Sequence, residues 1–284
     1  MALRWRHLLA AASITTCLMS IPLQAGAPLH SQDRESDFAF ADPEVQALHE
    51  FARQCAGQGF YGRAAEAYET ALGKFRDTAS QRILDVAQLH LLLAGAYRSL
   101  GEPSKALSHL HDCVSASQSD NGGTNVLAAS ALNHLGMLAA QGSQDRDAEK
   151  FYQRSLQLLE QLPGQGDRLA AAVAMNLGLP YFHQAKFTQS APLFDRALAF
   201  VEDPTTGETV DVAQMLNTLA WVLYRTGRQE KAKQLAYRSL EIRERLLGVA
   251  HPDLADSFDL LAEFAFDSGD TTRELAWLRL DRFQ

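Results

Sequence analysis

Along most of this chain the apolar positions fall three and four residues apart, the spacing of amphipathic helices, and no strand-like alternation interrupts them. The stretch LNTLAWVLYRTG, residues 216–227, shows the pattern: Leu216, Leu219, Ala220 and Leu223 share one helical face, and Gly227 ends the run. Ala220 is the unexpected member, a small side chain where a leucine would bury more. Steps of 42 residues back from it reach Gly178, Gly136, Ala94 and Ala52, and one step forward reaches Ala262. One residue earlier in each unit stand Phe51, Leu93, Leu135, Leu177, Leu219 and Leu261. Seven residues later come Gly59, Gly101, Ser143, Ala185, Gly227 and Gly269, where the chain must turn.

A second helix follows each turn. Twelve residues after the small position stand Ala64, Ala106, Ala148, Ser190, Ala232 and Glu274, and sixteen after it Tyr68, Leu110, Tyr152, Phe194, Ala236 and Leu278. Each unit therefore reads as helix, tight turn, helix, with small residues where the two helices cross so that their backbones approach closely. Asp42, Asp85, Asp167, Asp211 and Asp253 precede the first helices as expected side-chain N-caps, with Pro43 at a first helical position. Pro180 falls inside a first helix, where it withholds an N–H from the Asn176 carbonyl and is expected to bend the helix. In the last unit Glu274 and Asp281 replace small residues, as suits a terminal repeat with no successor to pack on. The predicted fold is all-α: a solenoid of six helix-turn-helix repeats over residues 43–284.

Leu177-Gly178 with Tyr181 three residues on, and Ala64 with Tyr68 four on, resemble the tetratricopeptide repeat. The ordinary unit of that family is about 34 residues. The longer period here, with LNTLA (216–220), LNHLG (132–136) and LLGVAHPDLA (246–255), is similar to the kinesin-light-chain variety. The resemblance covers residues 44–284 and implies a right-handed superhelix whose first helices line a concave, peptide-binding groove.

Residues 1–27 differ in character. Arg4 and Arg6 precede a short apolar run ending near Pro22, small residues follow, and no acid occurs before Asp33. This reads as a secretory signal peptide cleaved after Ala25, followed by a polar segment over 28–42. The protein is expected in the periplasm or secreted, without membrane insertion once the signal is removed. A lipid anchor at Cys17 and a mitochondrial presequence are the alternatives. The chain carries a net charge of −8, and its Lys and Arg form no dense stripe, which argues against a nucleic-acid partner. Cys55 and Cys113 sit at packed positions on different helices, as a pair of buried thiols or as a disulfide.

No catalytic pattern stands out, and no cofactor is expected. GQGFYG, residues 57–62, spells a dinucleotide-type glycine motif, but it follows a helix rather than a strand, at the turn where other repeats also place glycine. His109 and His111 point about 200° apart on a helix and cannot share a metal without a third element. The expected activity is non-enzymatic binding of an extended peptide or loop of another protein, with a scaffold role through the end faces as the alternative. The groove candidates of repeats three to five are Asn133, His134, Met137, Met175, Asn176, Leu179, Phe182, His183, Asn217, Trp221, Tyr224 and Arg225. Asparagine amides can pair with both groups of an extended backbone, while aromatic residues and methionine supply adaptable apolar pockets. The resemblance supports the amide role for Asn133, Asn176 and Asn217, with only one asparagine of each family pair present. A second reading has these residues merely touching neighbouring first helices. In repeat six the lining slots are acidic: Asp256, Asp259, Glu263 and Asp267, against Arg53 and Arg98 near the other end. A partner segment is thus expected to carry basic residues at the end that meets repeat six.

Overall fold

The computed structural model describes residues 39–75, 83–118, 125–162, 164, 166–249 and 251–268. The leader over 1–27, most of the polar segment and the second helix of repeat six, with Glu274 and Asp281, lie outside the described residues. Among the described residues there are eleven α-helices and no strand. Five complete pairs follow one another: α1 (Pro43–Gly57) with α2 (Tyr61–Lys74), α3 (Ile83–Ser99) with α4 (Pro103–Gln118), α5 (Asn125–Gln141) with α6 (Asp145–Glu160), α7 (Asp167–His183) with α8 (Phe187–Glu202), and α9 (Val210–Arg225) with α10 (Gln229–Leu247). A short 3-10 turn over Pro252–Leu254 then leads into α11 (Ala255–Ser268). Among the described residues the first five predicted helix-turn-helix units are present, with the first helix of the sixth, and the array is an α-solenoid.

The recurring small residues sit where the helices cross. Ala52, Ala64, Ala106, Ala148, Ala220 and Ala232 are buried, and so is Ser190. The second small column, which Asp281 continues in the sequence, runs along the second helices: Ala71, Cys113, Ser155, Ala197 and Ser239 are all fully buried. Cys113 is thus a small core residue at the slot where other repeats carry alanine or serine. Cys55 is buried on α1, and neither thiol is in a disulfide. Ser155 Oγ donates to the Ala129 carbonyl, and Ser239 Oγ to the Ala213 carbonyl, both at 2.7 Å. These equivalent bonds pin each second helix to the first helix of its own repeat.

The tight turns share one backbone solution. Gly59, Gly101 and Gly227 adopt positive φ, as their position requires. Ser143 and Ala185 occupy the same slot in repeats three and four and take the same left-handed conformation, at φ 58° and 56°. The turn geometry is therefore dictated by the packing of the two helices and not by the residue at the slot.

The capping expectation holds at one site and needs correction at the others. Asp42 caps α1, accepting from the Glu44 and Val45 amides at 2.9 and 3.3 Å. Asp85, Asp167 and Asp211 lie within the first turns of α3, α7 and α9, where negative charge still complements the helix dipole. Thr209 caps α9 instead, and the His251 side chain accepts from the Asp253 amide in the 3-10 turn. Helix α7 continues through Pro180 to His183, and α8 likewise contains Pro192.

Neighbouring first helices touch one another across repeats, α3 with α5, α5 with α7 and α9 with α11, more closely than neighbouring second helices do. The closer-packed layer is the inner wall of a curved array. First helices α3, α5 and α7 accordingly are buried on several sides, whereas the second helices keep a polar outer face.

Candidate groove on the inner face

The inner wall is built from the same slots of successive first helices, and these slots are not equally open. Asn133, Met137, Met175, Asn217, Trp221 and Tyr224 are buried against neighbouring helices. Asn176, Leu179, Phe182 and His134 are half-buried, and His183 and Arg225 are exposed. In repeat six Glu263 is half-buried, while Asp256, Asp259 and Asp267 are exposed.

The amides are partly committed to one another. Asn176 Nδ2 donates to Asn133 Oδ1 at 3.0 Å, linking α7 to α5, and Asn217 Oδ1 accepts from Ser257 Oγ at 3.3 Å, linking α9 to α11. These bonds tie adjacent first helices together, as the packing reading expects. Asn176 still presents its carbonyl oxygen from a half-buried position, with one donor hydrogen used.

The apolar part is an aromatic seam around Phe182. Its ring lies edge-on to Trp221 and Phe187 at 5.5 Å and to Phe194 at 6.0 Å, and His183 tilts against Trp221 at 5.7 Å. Such edge-to-face contacts order the cluster beyond simple burial. One repeat on, Tyr224 stacks on Phe264 at 4.0 Å. Burial and the Asp267 carboxylate push the Tyr224 hydroxyl up to about 12, so it remains a neutral hydrogen-bonding group at any physiological pH.

The two ends differ in charge. On α3 and α5, Arg98 Nη1 and His134 Nδ1 are buried without a hydrogen-bond partner. Burial, helped by the nearby Arg98 cation, pulls the His134 imidazole down to about 3, leaving the arginine as the only charge of the pair. On α11, burial holds Glu263 above the usual carboxylate range, with Asp267 adding to the shift and Arg225 opposing it. Burial followed by the Asp256 charge does the same to Asp259. A polar core element flanks this end: buried Arg243 donates to the Asp253 carbonyl at 2.9 Å and to Ser257 Oγ at 2.8 Å. Nothing in the helical periodicity singles out Arg243; its slot faces the junction of three elements that only the fold brings together.

Comparison with known proteins places this architecture. Sequence models of the tetratricopeptide repeat match residues 85–161 and 212–253. Protein KINESIN LIGHT CHAIN-RELATED 2 of Arabidopsis thaliana is 21% identical over 240 residues, which cover 84% of this chain and 35% of that protein. This chain thus spans about a third of the length of that relative. Among solved structures, BtubC (BKLC) from P. vanneervenii superposes with a TM-score of 0.57 at 24% identity, covering 73% of this chain and 82% of that one. Pseudomonas aeruginosa pilF gives 0.55 at 18% identity, covering 84% and 91%. The structural likenesses bear on the fold alone, and the sequence matches fall on the repeats described above. Residues 85–161 and 212–253 are thus tetratricopeptide repeats, and the array as a whole is similar to kinesin-light-chain-related proteins.

Proposed function

We propose that this protein is an exported, non-enzymatic interaction module that holds an extended segment of a partner protein along its inner face. Tetratricopeptide arrays serve as protein-interaction scaffolds, and that coarser role belongs to this chain by its repeats. The observation that carries the finer reading is the aromatic seam at Phe182, His183 and Trp221, part of it open on the inner wall and followed by the exposed acids Asp259 and Asp267. An apolar patch beside a charged stripe suits a segment with one bulky apolar side chain and basic residues one or two repeats further on. Half-buried Asn176 is placed to grip the backbone between them. Export rests on the basic start and short apolar run of residues 1–27.

Site-specific photo-crosslinking in the native host tests this. A benzophenone amino acid introduced at His183 should capture a partner, and the same probe at Arg154, exposed on the second helix α6, should not. Capture should weaken as salt rises and fall in an Asp259→Asn/Asp267→Asn background. Capture from Arg154 or from the ends of the array, with none from His183, would replace the groove reading with an end-face scaffold.

A further inference from the structure

Repeat two departs from its neighbours at three positions that converge on one point. At the slot of His90 the other repeats carry Leu48, Leu132, Ala174, Leu216 and Phe258, and at the slot of His109 they carry Ala67, Phe151, Leu193, Leu235 and Trp277. At the slot of Asp112 they carry Thr70, Arg154, Arg196, Arg238 and Leu280. Two apolar packing positions have become imidazoles, and a polar position that is arginine in three other repeats has become a carboxylate.

In the fold these three side chains meet. His90 on α3 and His109 on α4 place their Nδ1 atoms 3.0 Å apart, and an Asp112 oxygen lies 3.9 Å from His90 Nδ1. All three ligand atoms lie within 4.8 Å of one another. His109 and Asp112 are three residues apart on α4 and so share a face. The His109 ring is held in place by stacking on Tyr97, 5.5 Å away and within 4° of parallel, and Tyr97 itself donates to Glu69. His111, by contrast, points away toward Phe151. The third element that a metal site on α4 lacks in the sequence is supplied by α3.

We propose that His90 Nδ1, His109 Nδ1 and an Asp112 oxygen bind a divalent transition-metal ion of the zinc class, clamping α3 to α4 and leaving a coordination position open. Two nitrogens bound to zinc at about 2.0–2.1 Å in a tetrahedral set stand roughly 3.3 Å apart, close to the separation found. Asp112, 3.9 Å from His90 Nδ1, has to swing inward to complete the set, and its half-exposed side chain is free to do so. Two imidazoles with one carboxylate favour zinc-like ions over calcium or magnesium, which prefer all-oxygen shells. Two nitrogen lone pairs this close repel unless a cation or a single shared proton lies between them, and the experiment separates these two cases.

The full chain, stripped with a chelator, is titrated with zinc chloride by calorimetry and with cobalt(II) by visible absorption. One equivalent of zinc should bind, the melting temperature should rise with added zinc, and cobalt should develop the intense visible bands of a four-coordinate site. The His90→Leu/His109→Leu variant borrows the Leu216/Leu235 pair of repeat five, so it should fold with an unchanged helical spectrum and lose the binding. Asp112→Asn should weaken binding at least tenfold. No saturable uptake by the stripped chain, or an affinity unchanged in either variant, would overturn the assignment and leave the histidines as a hydrogen-bonded N–H···N pair.

Discussion

Repeats three and five meet the same packing requirement with opposite distributions of volume. In repeat three Gly136 faces Tyr152, and a Cβ added to the glycine would stand 2.5 Å from the ring. In repeat five the register sets Ala220 against Ala236, both fully buried. Repeat four lies between them, with Gly178 opposite Phe194 and a hypothetical Cβ 3.1 Å from the ring, while repeat two pairs Ala94 with Leu110. What the repeat preserves is the fit across the crossing and not the residue at either slot. Tolerance at one position is therefore set by its partner sixteen residues on.

The severest test enlarges the small pair. Ala220→Leu places three further carbons in a closed crossing and is expected to cost about 1–3 kcal/mol, read as a lower denaturation midpoint with an unchanged slope. Gly136→Ala comes next. The methyl collides with the Tyr152 ring, and the loss is expected at about 1–2 kcal/mol even after the gain of roughly 1 kcal/mol in helix propensity. Gly178→Ala has only a slight overlap to relieve, so the propensity gain should leave it near neutral. The decisive variant is Gly136→Ala/Tyr152→Leu, which imports the Ala94/Leu110 combination of repeat two. It should recover most of the loss, with a coupling of about 1 kcal/mol or more in a double-mutant cycle. Additive single effects would break the comparison.

The crossing was legible from sequence because a strict period turns one puzzling alanine into a column of six. The turns were legible for the same reason, though Ser143 and Ala185 show that the column's conformation outlives its glycine. The capping aspartates were misplaced because helices α3 and α9 begin before their acids and α7 begins at Asp167 itself, and Thr209 with its β-region backbone takes the capping role at α9. On the inner wall the sequence could list slots but not their accessibility, which depends on how close the next first helix comes. Asn133 and Asn217 are walled in by α7 and α11, while His183, about two turns beyond Asn176 along α7, is open. The His90–His109 meeting was hidden because 19 residues and a turn separate the two rings in the chain.

A smaller effect concerns the turns that lack glycine. A non-glycine residue in the left-handed region carries steric strain of about 1–2 kcal/mol, of which glycine's extra unfolded-state entropy returns part. Ala185→Gly and Ser143→Gly are each expected to stabilise by roughly 0.5–1 kcal/mol, whereas Gly227→Ala should destabilise by a similar amount. A loss of stability in Ala185→Gly would show that the side chain, and not the conformation, matters at that slot.

The finest comparison sets equivalent slots of repeats five and six side by side, where Asn217, Trp221 and Arg225 become Asp259, Glu263 and Asp267. Burial raises the Asp259 and Glu263 pKa values in the folded chain, each helped by an acidic neighbour. Between the ordinary carboxylate range and those raised values the folded state holds more protons than the unfolded one. Stability therefore falls as pH rises through that window, and the full cost persists above it. Asp259→Asn/Glu263→Gln removes the two titrating groups, so it should raise the melting temperature at pH 7 and raise it less as pH falls toward the ordinary carboxylate range. A shift that does not change with pH would mean that packing, not charge, distinguishes the two repeats. If the groove reading is right, the same variant binds its partner more weakly while being more stable. That opposition is the mark of residues kept for recognition at the expense of the fold, and a merely solubilising end-cap would show the stability gain without the loss of binding.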